Sequence, residues 1–167
     1  PREAEGRPNM ILAEAGTGVG KTLGYLAPAS LWSEINDGPV WIATYTRNLQ
    51  RQIDDELTRL DSVVPPESVV VRKGRENFLC LLNFEEAIQR IATTPRNAVP
   101  LGLLTRWAAA SRDGAIIAGD LPGWLADLAG RGRTQGLADR RGECIYAACQ
   151  HYRRCFIERN TRAAKHA

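Results

Sequence analysis

A glycine-rich stretch between two apolar segments constrains this chain more than any other feature of its sequence. Residues 15–22 read Ala-Gly-Thr-Gly-Val-Gly-Lys-Thr. Glycine at alternate positions lets backbone N–H groups curl around an anion, in conformations that a side chain would obstruct. The closing Lys-Thr pair supplies a positive charge for a phosphate group and a hydroxyl for Mg²⁺. The pattern predicts a nucleotide phosphate loop that joins a strand to a helix.

All the predicted nucleotide contacts fall within this loop. We expect Lys21 to contact the β- and γ-phosphates of ATP and Thr22 to ligate Mg²⁺, so these two are the candidate catalytic residues. The other predicted contacts come from the backbone of Ala15, Gly16, Thr17, Gly18, Val19 and Gly20. Kinases, GTPases, transporters and helicases share such a loop, so the loop alone does not predict the reaction.

Apolar patterning around the loop predicts an α/β fold class. The predicted strands are residues 10–14, 40–44 and 69–71, and the predicted helices between them are residues 21–35 and 47–60. Strand–helix alternation with short turns is typical of right-handed crossovers and a parallel sheet with flanking helices.

The pattern changes after Gly74, where strands are no longer predicted. A mostly helical insertion is expected there, with helices over residues 84–91, 101–111 and 121–129, a polar loop over 130–142, and a polar helix from about residue 152. No apolar run approaches the roughly 20 residues of a membrane helix. No signal peptide is visible either, and the expected location is the bacterial cytoplasm.

Charge is distributed unevenly along the chain. The net charge is +3, but residues 131–167 contain nine Lys or Arg against three acidic residues. A basic end on a mildly acidic body favours a polyanion as partner. A solvated arginine-rich face is the alternative that charge alone leaves open.

Four cysteines are present, and their spacing leaves three interpretations open. They are Cys80, Cys144, Cys149 and Cys155. Four thiolates can hold a structural zinc ion or an iron–sulfur cluster, although zinc sites usually contain closer pairs than these. The third interpretation is four free buried thiols. Low cysteine density argues against a disulfide scaffold.

Three stretches together point to one family. Residues 14–26 resemble helicase motif I and residues 43–52 resemble motif Ia. Residues 73–80 read Lys-Gly-Arg-Glu-Asn-Phe-Leu-Cys. They resemble the stretch with which the iron–sulfur domain of some helicases begins. The chain thus resembles the DinG/XPD family of superfamily 2 iron–sulfur DNA helicases, and the bacterial DinG-like branch in particular.

The resemblance implies a fold, a cofactor and an activity. It implies that residues 1–73 begin a RecA-like motor domain, that residues 74–158 form an inserted iron–sulfur domain, and that residues 159–167 return to the motor domain. It implies a [4Fe–4S] cluster on Cys80, Cys144, Cys149 and Cys155. It further implies a monomeric helicase, driven by ATP and Mg²⁺, that translocates 5′ to 3′ on single-stranded DNA or at single-strand/duplex junctions.

The candidate DNA-binding residues lie in two places. In the stretch like motif Ia, hydroxyl, guanidinium and amide groups can bind the DNA backbone; these belong to Thr44, Thr46, Arg47 and Gln50. Around the cysteines, charged and aromatic side chains alternate, which suits phosphate contacts and base stacking. There the candidates are Lys73, Arg75, Tyr152 and Arg153. Packing around the cysteines is the alternative role for the tyrosine.

Two other classes of protein remain as alternatives. One is a different phosphate-loop NTPase, such as a phosphotransferase, with a zinc-stapled insertion. The other is a non-enzymatic iron–sulfur redox module that retains a nucleotide loop. Hydrolysis needs an acidic residue for Mg²⁺ and usually an arginine finger. Neither can be assigned in these 167 residues, so we interpret the chain as an N-terminal fragment and expect it to bind nucleotide with negligible hydrolysis.

Overall fold

The computed structural model describes residues 10–60, 64–139 and 142–165. It divides the chain into two compact units, Pro1–Ala43 and Thr44–Ala167. The described residues are mostly helical. In chain order the α-helices are α1 (Lys21–Asn36), α2 (Arg47–Arg59), α3 (Leu81–Gln89), α4 (Ala98–Ala110), α5 (Gly123–Ala129), α6 (Arg131–Gly136) and α7 (Phe156–Ala163). None of them is long and apolar enough to cross a membrane.

The first unit consists of the glycine-rich loop, α1 and the segment that follows α1. Gly20, directly before α1, and Asp37, directly after it, both have a left-handed backbone conformation. The Trp32 ring packs beside Gly38, while the Ser33 hydroxyl donates to the Gly38 carbonyl at 2.8 Å. These contacts fold the chain back on the end of α1. Among the described residues of this unit, one hydrophobic side chain is buried, that of Leu26.

The predicted α/β fold with a parallel sheet is wrong. β-pairing among the described residues is limited to two isolated antiparallel bridges, Phe78 with Ala115 and Leu79 with Ala138. The three predicted strands are neither helical nor paired. A short apolar run becomes a strand only where a neighbouring segment accepts its hydrogen bonds and covers its face. Leu12 is 98% exposed and Trp41 70% exposed, so the first two of these runs are not buried strands.

The second unit has a hydrophobic core of its own. Side chains from α3, α4, α5 and α7, from the segment before α3 and from the segments between these helices form it: Phe78, Leu79, Phe84, Leu101, Leu104, Ala115, Ile116, Leu125, Ala129, Leu137, Ala138, Phe156 and Ile157. Gly114, at φ +66°, lies so close to Phe156 that a Cβ would be 2.0 Å from the ring. Only glycine fits there. The core therefore packs the start of α7 against the residues that precede Cys80.

Most helix predictions are confirmed, with shifted ends. Thr46 caps α2, because its hydroxyl accepts the Leu49 N–H at 3.3 Å. The predicted polar loop over residues 130–142 is wrong in part, since α6 occupies its first half. Gly130 turns the chain with φ +82°, and buried Thr134 donates its hydroxyl to the Gly130 carbonyl at 3.2 Å. Arg140 and Arg141 of that loop lie outside the described residues.

Candidate functional site

The glycine-rich loop adopts a local conformation suited to an anion. Gly18 and Gly20 have φ values of +79° and +72°, which L-residues rarely adopt. Their missing Cβ atoms would meet no other atom within 4 Å, so backbone conformation rather than crowding requires glycine here. Because α1 begins directly after the loop, its first N–H groups are also available to a phosphate.

Lys21 lies against the loop that precedes it. Its ammonium group donates to the Ala15 carbonyl at 3.1 Å and also to the carbonyl of Gly16. Thr22, the other candidate catalytic residue, is half-buried at the start of α1. The remaining loop residues are exposed, so the backbone from 15 to 20 is accessible to a nucleotide.

The four cysteines line one cavity of the second unit. We call it the cysteine cavity; Cys80, Cys144, Cys149 and Cys155 all contribute to it, together with Arg75, Asp139 and Tyr152. None of the four forms a disulfide, and each is half-buried. Sequence positions up to 75 residues apart therefore bring four free thiols to one space.

The donor set of the cysteine cavity suits an iron–sulfur cluster or zinc, but the thiols do not converge on one point. No group of three or more His, Cys, Asp and Glu side chains within residues 10–60, 64–139 and 142–165 could hold a metal ion as placed. The backbone N–H of Tyr146 points to the Cys144 sulfur at 3.4 Å. Such N–H groups stabilise thiolates, whichever metal they bind.

The first cysteine follows two of the most deeply buried side chains among the described residues. Phe78 and Leu79, directly before Cys80, are 2% and 0% exposed. The Cys80 N–H donates to the Leu137 carbonyl at 2.9 Å, and α3 begins at the next residue. Burial raises the pKa of the Cys80 thiol above its ordinary value, while backbone N–H groups of Asn83 and Leu82 act in the opposite direction. A bound metal ion or a nearby positive charge is needed to keep this thiol ionised near neutral pH.

Arg75 supplies a positive charge at the same cavity. Its guanidinium donates to Asp139 at 2.6 Å and to the Cys144 sulfur at 2.8 Å, and it approaches Glu158 to 3.8 Å. The Tyr146 ring lies beneath it, 5.0 Å from centroid to guanidinium carbon. Burial acts to lower the pKa of Arg75, but the hydrogen bond to Asp139 and the surrounding negative charge raise it. The side chain therefore stays charged and offsets negative charge on the thiols.

A second polar contact joins α3 to the turn between the last two cysteines. Glu85 accepts from Gln150 and approaches the Nε2 atom of His151 to 2.8 Å. Cys149 lies directly before this pair, and Cys155 precedes α7. The loop that carries three of the thiols is thus attached to the core from both sides.

The predicted DNA-binding residues are not gathered in one place. Thr44, Thr46 and Gln50 lie at the start of α2, where the side chain of Arg47 is outside the described positions. Tyr152 lines the cysteine cavity, and Arg153 is exposed beside it. Arg75 is bound to protein groups, as described above.

Lys73 is also bound to protein groups. Its side chain is 12% exposed, its ammonium donates to the Ala118 carbonyl at 2.6 Å, and Asp113 lies 3.8 Å away. These contacts hold the Lys73 side chain inside the fold rather than at the surface. The structure brings together the four cysteines and Arg75, whereas the glycine-rich loop belongs to the other unit.

The counter-charges of Arg75 were missed by sequence reasoning. Asp139 is buried, and Glu158 is largely so. A signal was present: residues 131–167 contain only three acidic residues, and two of them contact Arg75. An acidic residue that stands in an otherwise basic stretch can thus indicate a buried ion pair.

Comparison with known proteins gives a consistent set of relatives. ATP-dependent helicase DinG of Mycobacterium tuberculosis is 30% identical over 175 residues, which cover 92% of this chain and 26% of that protein. ATP-dependent DNA helicase YoaA of Escherichia coli is 29% identical over 171 residues, covering 98% of the chain and 24% of the relative. A Bacillus subtilis protein named 3'-5' exonuclease DinG is 33% identical over 113 residues, 66% of the chain and 12% of that protein.

These matches confirm the resemblance that the three sequence stretches indicate: the chain is homologous to the DinG and YoaA proteins. It spans about a quarter or less of the length of the curated relatives it matches. No family model matches the chain, and no solved structure matches it.

Proposed function

We propose that this chain is the nucleotide-binding and four-cysteine part of an ATP-dependent DNA helicase that acts in the cytoplasm. The observation that carries the proposal is the homology to proteins named ATP-dependent DNA helicases over nearly the whole chain. The glycine-rich loop, with two left-handed glycines before α1, supports a bound nucleoside triphosphate, and the names of the relatives support ATP. Lys21 would contact the phosphates and Thr22 the Mg²⁺ ion.

The cysteine cavity is the proposed site of a [4Fe–4S] cluster. Cys80, Cys144, Cys149 and Cys155 would hold it, and when bound it would cross-link the segments that carry these residues. Four free thiols that line one cavity, together with the resemblance to iron–sulfur helicases, support a cluster as the occupant. Arg75 lowers the cost of placing negative charge there.

Single-stranded DNA is the proposed polyanion, bound at the start of α2 and beside the cysteine cavity. Thr44, Thr46, Arg47 and Gln50 are the proposed contacts at the helix, and Tyr152 and Arg153 those beside the cavity. We propose internal roles for Lys73 and Arg75, because protein groups occupy both side chains. Gln50 also donates to the Arg72 carbonyl, and its second amide hydrogen and its amide oxygen are the groups proposed to contact DNA.

The experiment uses the full-length protein and a labelled duplex with a 5′ or a 3′ single-stranded tail. We expect ATP-dependent strand separation from the 5′ tail, and its loss in Lys21→Ala with DNA binding retained. Release of label without ATP, by shortening of one strand and unaffected by Lys21→Ala, would contradict the proposal. That result would favour the second candidate, an exonuclease, which the name of the Bacillus subtilis relative suggests.

A further inference from the structure

The chain between α2 and the cysteine cavity is held at consecutive residues by different elements. We call residues 71–75 the junction segment. Asn160 of α7 donates its side-chain amide to the Val71 carbonyl at 3.1 Å. Gln50 of α2 donates its side-chain amide to the carbonyl of the next residue, Arg72, at 3.0 Å. Two helices far apart in sequence therefore bind neighbouring peptide groups.

The other end of the junction segment reaches the cavity. Lys73 donates to the Ala118 carbonyl at 2.6 Å, and Gly74 accepts both the backbone and the side-chain N–H of Asn77. Arg75 then donates to Asp139 and to Cys144. Two residues, Lys73 and Gly74, separate the residue whose carbonyl is bound by α2 from the arginine whose guanidinium is bound to a cysteine.

The two helices differ in how they are attached to the second unit. α7 contributes Phe156 and Ile157 to the hydrophobic core. α2 has one buried apolar residue, Ile53, which lies outside that core. A helix held loosely by apolar contacts depends more on its polar contacts for its position. The Gln50 bond is thus a link between a helix outside the core and a segment anchored in it.

We propose that Gln50 and Asn160 are positioning residues of the cysteine cavity, which couple α2 to Arg75 and Cys144 through the junction segment. A displacement of α2 moves the Arg72 carbonyl. Because the next two residues are themselves held by hydrogen bonds, this movement also shifts Arg75. Because coupling is reciprocal, a change at the cavity also shifts α2. The identification of the ligand at α2 as single-stranded DNA rests on the proposed function. The coupling between α2 and the cysteine cavity rests on the hydrogen bonds described above.

The test is a double-variant cycle read by amide hydrogen exchange in the full-length protein. Gln50→Glu and Asn160→Asp keep the side-chain shape and remove the donor. We expect Gln50→Glu to speed exchange in α7 about fivefold, and Asn160→Asp to speed it in α2 by a similar factor. The double variant should add little to the larger single effect, since both bonds act in one path. Gln50→Lys restores a donor and should restore slow exchange.

The matched control is Gln89→Glu, at an exposed position near the end of α3. Faster exchange that stays within the helix carrying each substitution would overturn the proposal, as would an equal effect of Gln89→Glu. In a second arm, a single-stranded oligonucleotide should slow exchange in α2 and, in the wild type alone, in α7. If the oligonucleotide leaves hydrogen exchange in α2 unchanged, the assignment of DNA as the ligand is refuted. The double-variant cycle measured without DNA still tests the coupling between α2 and the cysteine cavity.

Discussion

The glycine-rich loop and the cysteine cavity are built in opposite ways. The loop depends on a few consecutive residues and on two left-handed glycines, in a unit whose large apolar side chains are mostly exposed. The cavity depends on a core of thirteen residues that joins segments far apart in sequence. We infer that substitutions in the core destroy the cavity and leave the loop intact, and that the converse also holds.

The largest expected effect comes from the residue before the first cysteine. Leu79 is fully buried, so Leu79→Ala removes core contacts and leaves a cavity that costs about 2–5 kcal/mol of unfolding free energy. Denaturant unfolding with cysteine alkylation as the probe measures it. Leu12→Ala, at a 98% exposed position of the other unit, should change stability by less than about 0.5 kcal/mol. Equal effects of the two would contradict the contrast.

Two glycines with similar backbone angles provide the next comparison. In Gly114→Ala the new methyl group collides with the Phe156 ring, and about 3 kcal/mol of stability should be lost from strain and overpacking. In Gly18→Ala the new side chain is also at a positive φ, but no atom lies within 4 Å of the added group. That loss should be about 1 kcal/mol, as measured by thermal unfolding. A larger loss for Gly18→Ala would show that the loop is crowded.

A smaller effect is expected at the ion pair beside the thiols. Arg75→Met leaves Asp139 buried without its partner and should cost about 2 kcal/mol, after allowance for the partial exposure of Arg75. Arg90→Met removes an exposed pair with Glu86 and should cost less than about 0.5 kcal/mol. Urea unfolding of the two variants tests the difference. Indistinguishable midpoints would mean that the Arg75 contacts contribute nothing to stability.

The smallest effect concerns the pH dependence at Asp120. Burial opposes ionisation, but hydrogen bonds from the Ser111 hydroxyl, the Arg112 N–H and the Trp107 indole outweigh it and lower the Asp120 pKa. A lowered folded-state pKa gives stability that is present above the ordinary value of about 4 and is lost as pH falls below it. Solvent screening keeps the contribution of this exposed carboxylate small, and the stability difference between wild type and Asp120→Asn should therefore shrink from pH 7 to pH 3. A stability difference that grows on acidification would contradict a lowered pKa of Asp120.

Local features of the fold could be predicted from the sequence, and long-range ones could not. The Thr46 cap and α2 follow from residues within one or two turns of each other. The strand predictions failed because apolar patterning does not reveal whether a neighbouring segment pairs with a run such as 10–14. α6 was missed because glycine and arginine dominate its composition, while its stability comes from contacts such as Thr134 to Gly130.

At the candidate site the same division applies. The loop residues 15–22 were predicted from their spacing, since a phosphate loop is built from consecutive residues. The cysteine spacing left zinc, a cluster and free thiols open, and the family resemblance grouped the four residues. The pairing of Arg75 with Asp139 and Cys144 spans 64 and 69 positions. Tertiary packing alone creates that proximity, so no periodicity encodes it.

We propose that the four cysteines form one site, and metal analysis tests this most directly. Iron, zinc and acid-labile sulfide should be measured per chain after anaerobic purification of the full-length protein, together with the visible spectrum. We predict about four irons and four sulfides per chain, and loss of both in Cys144→Ser. Four thiols that bind neither iron nor sulfide and react independently with an alkylating agent would contradict the account.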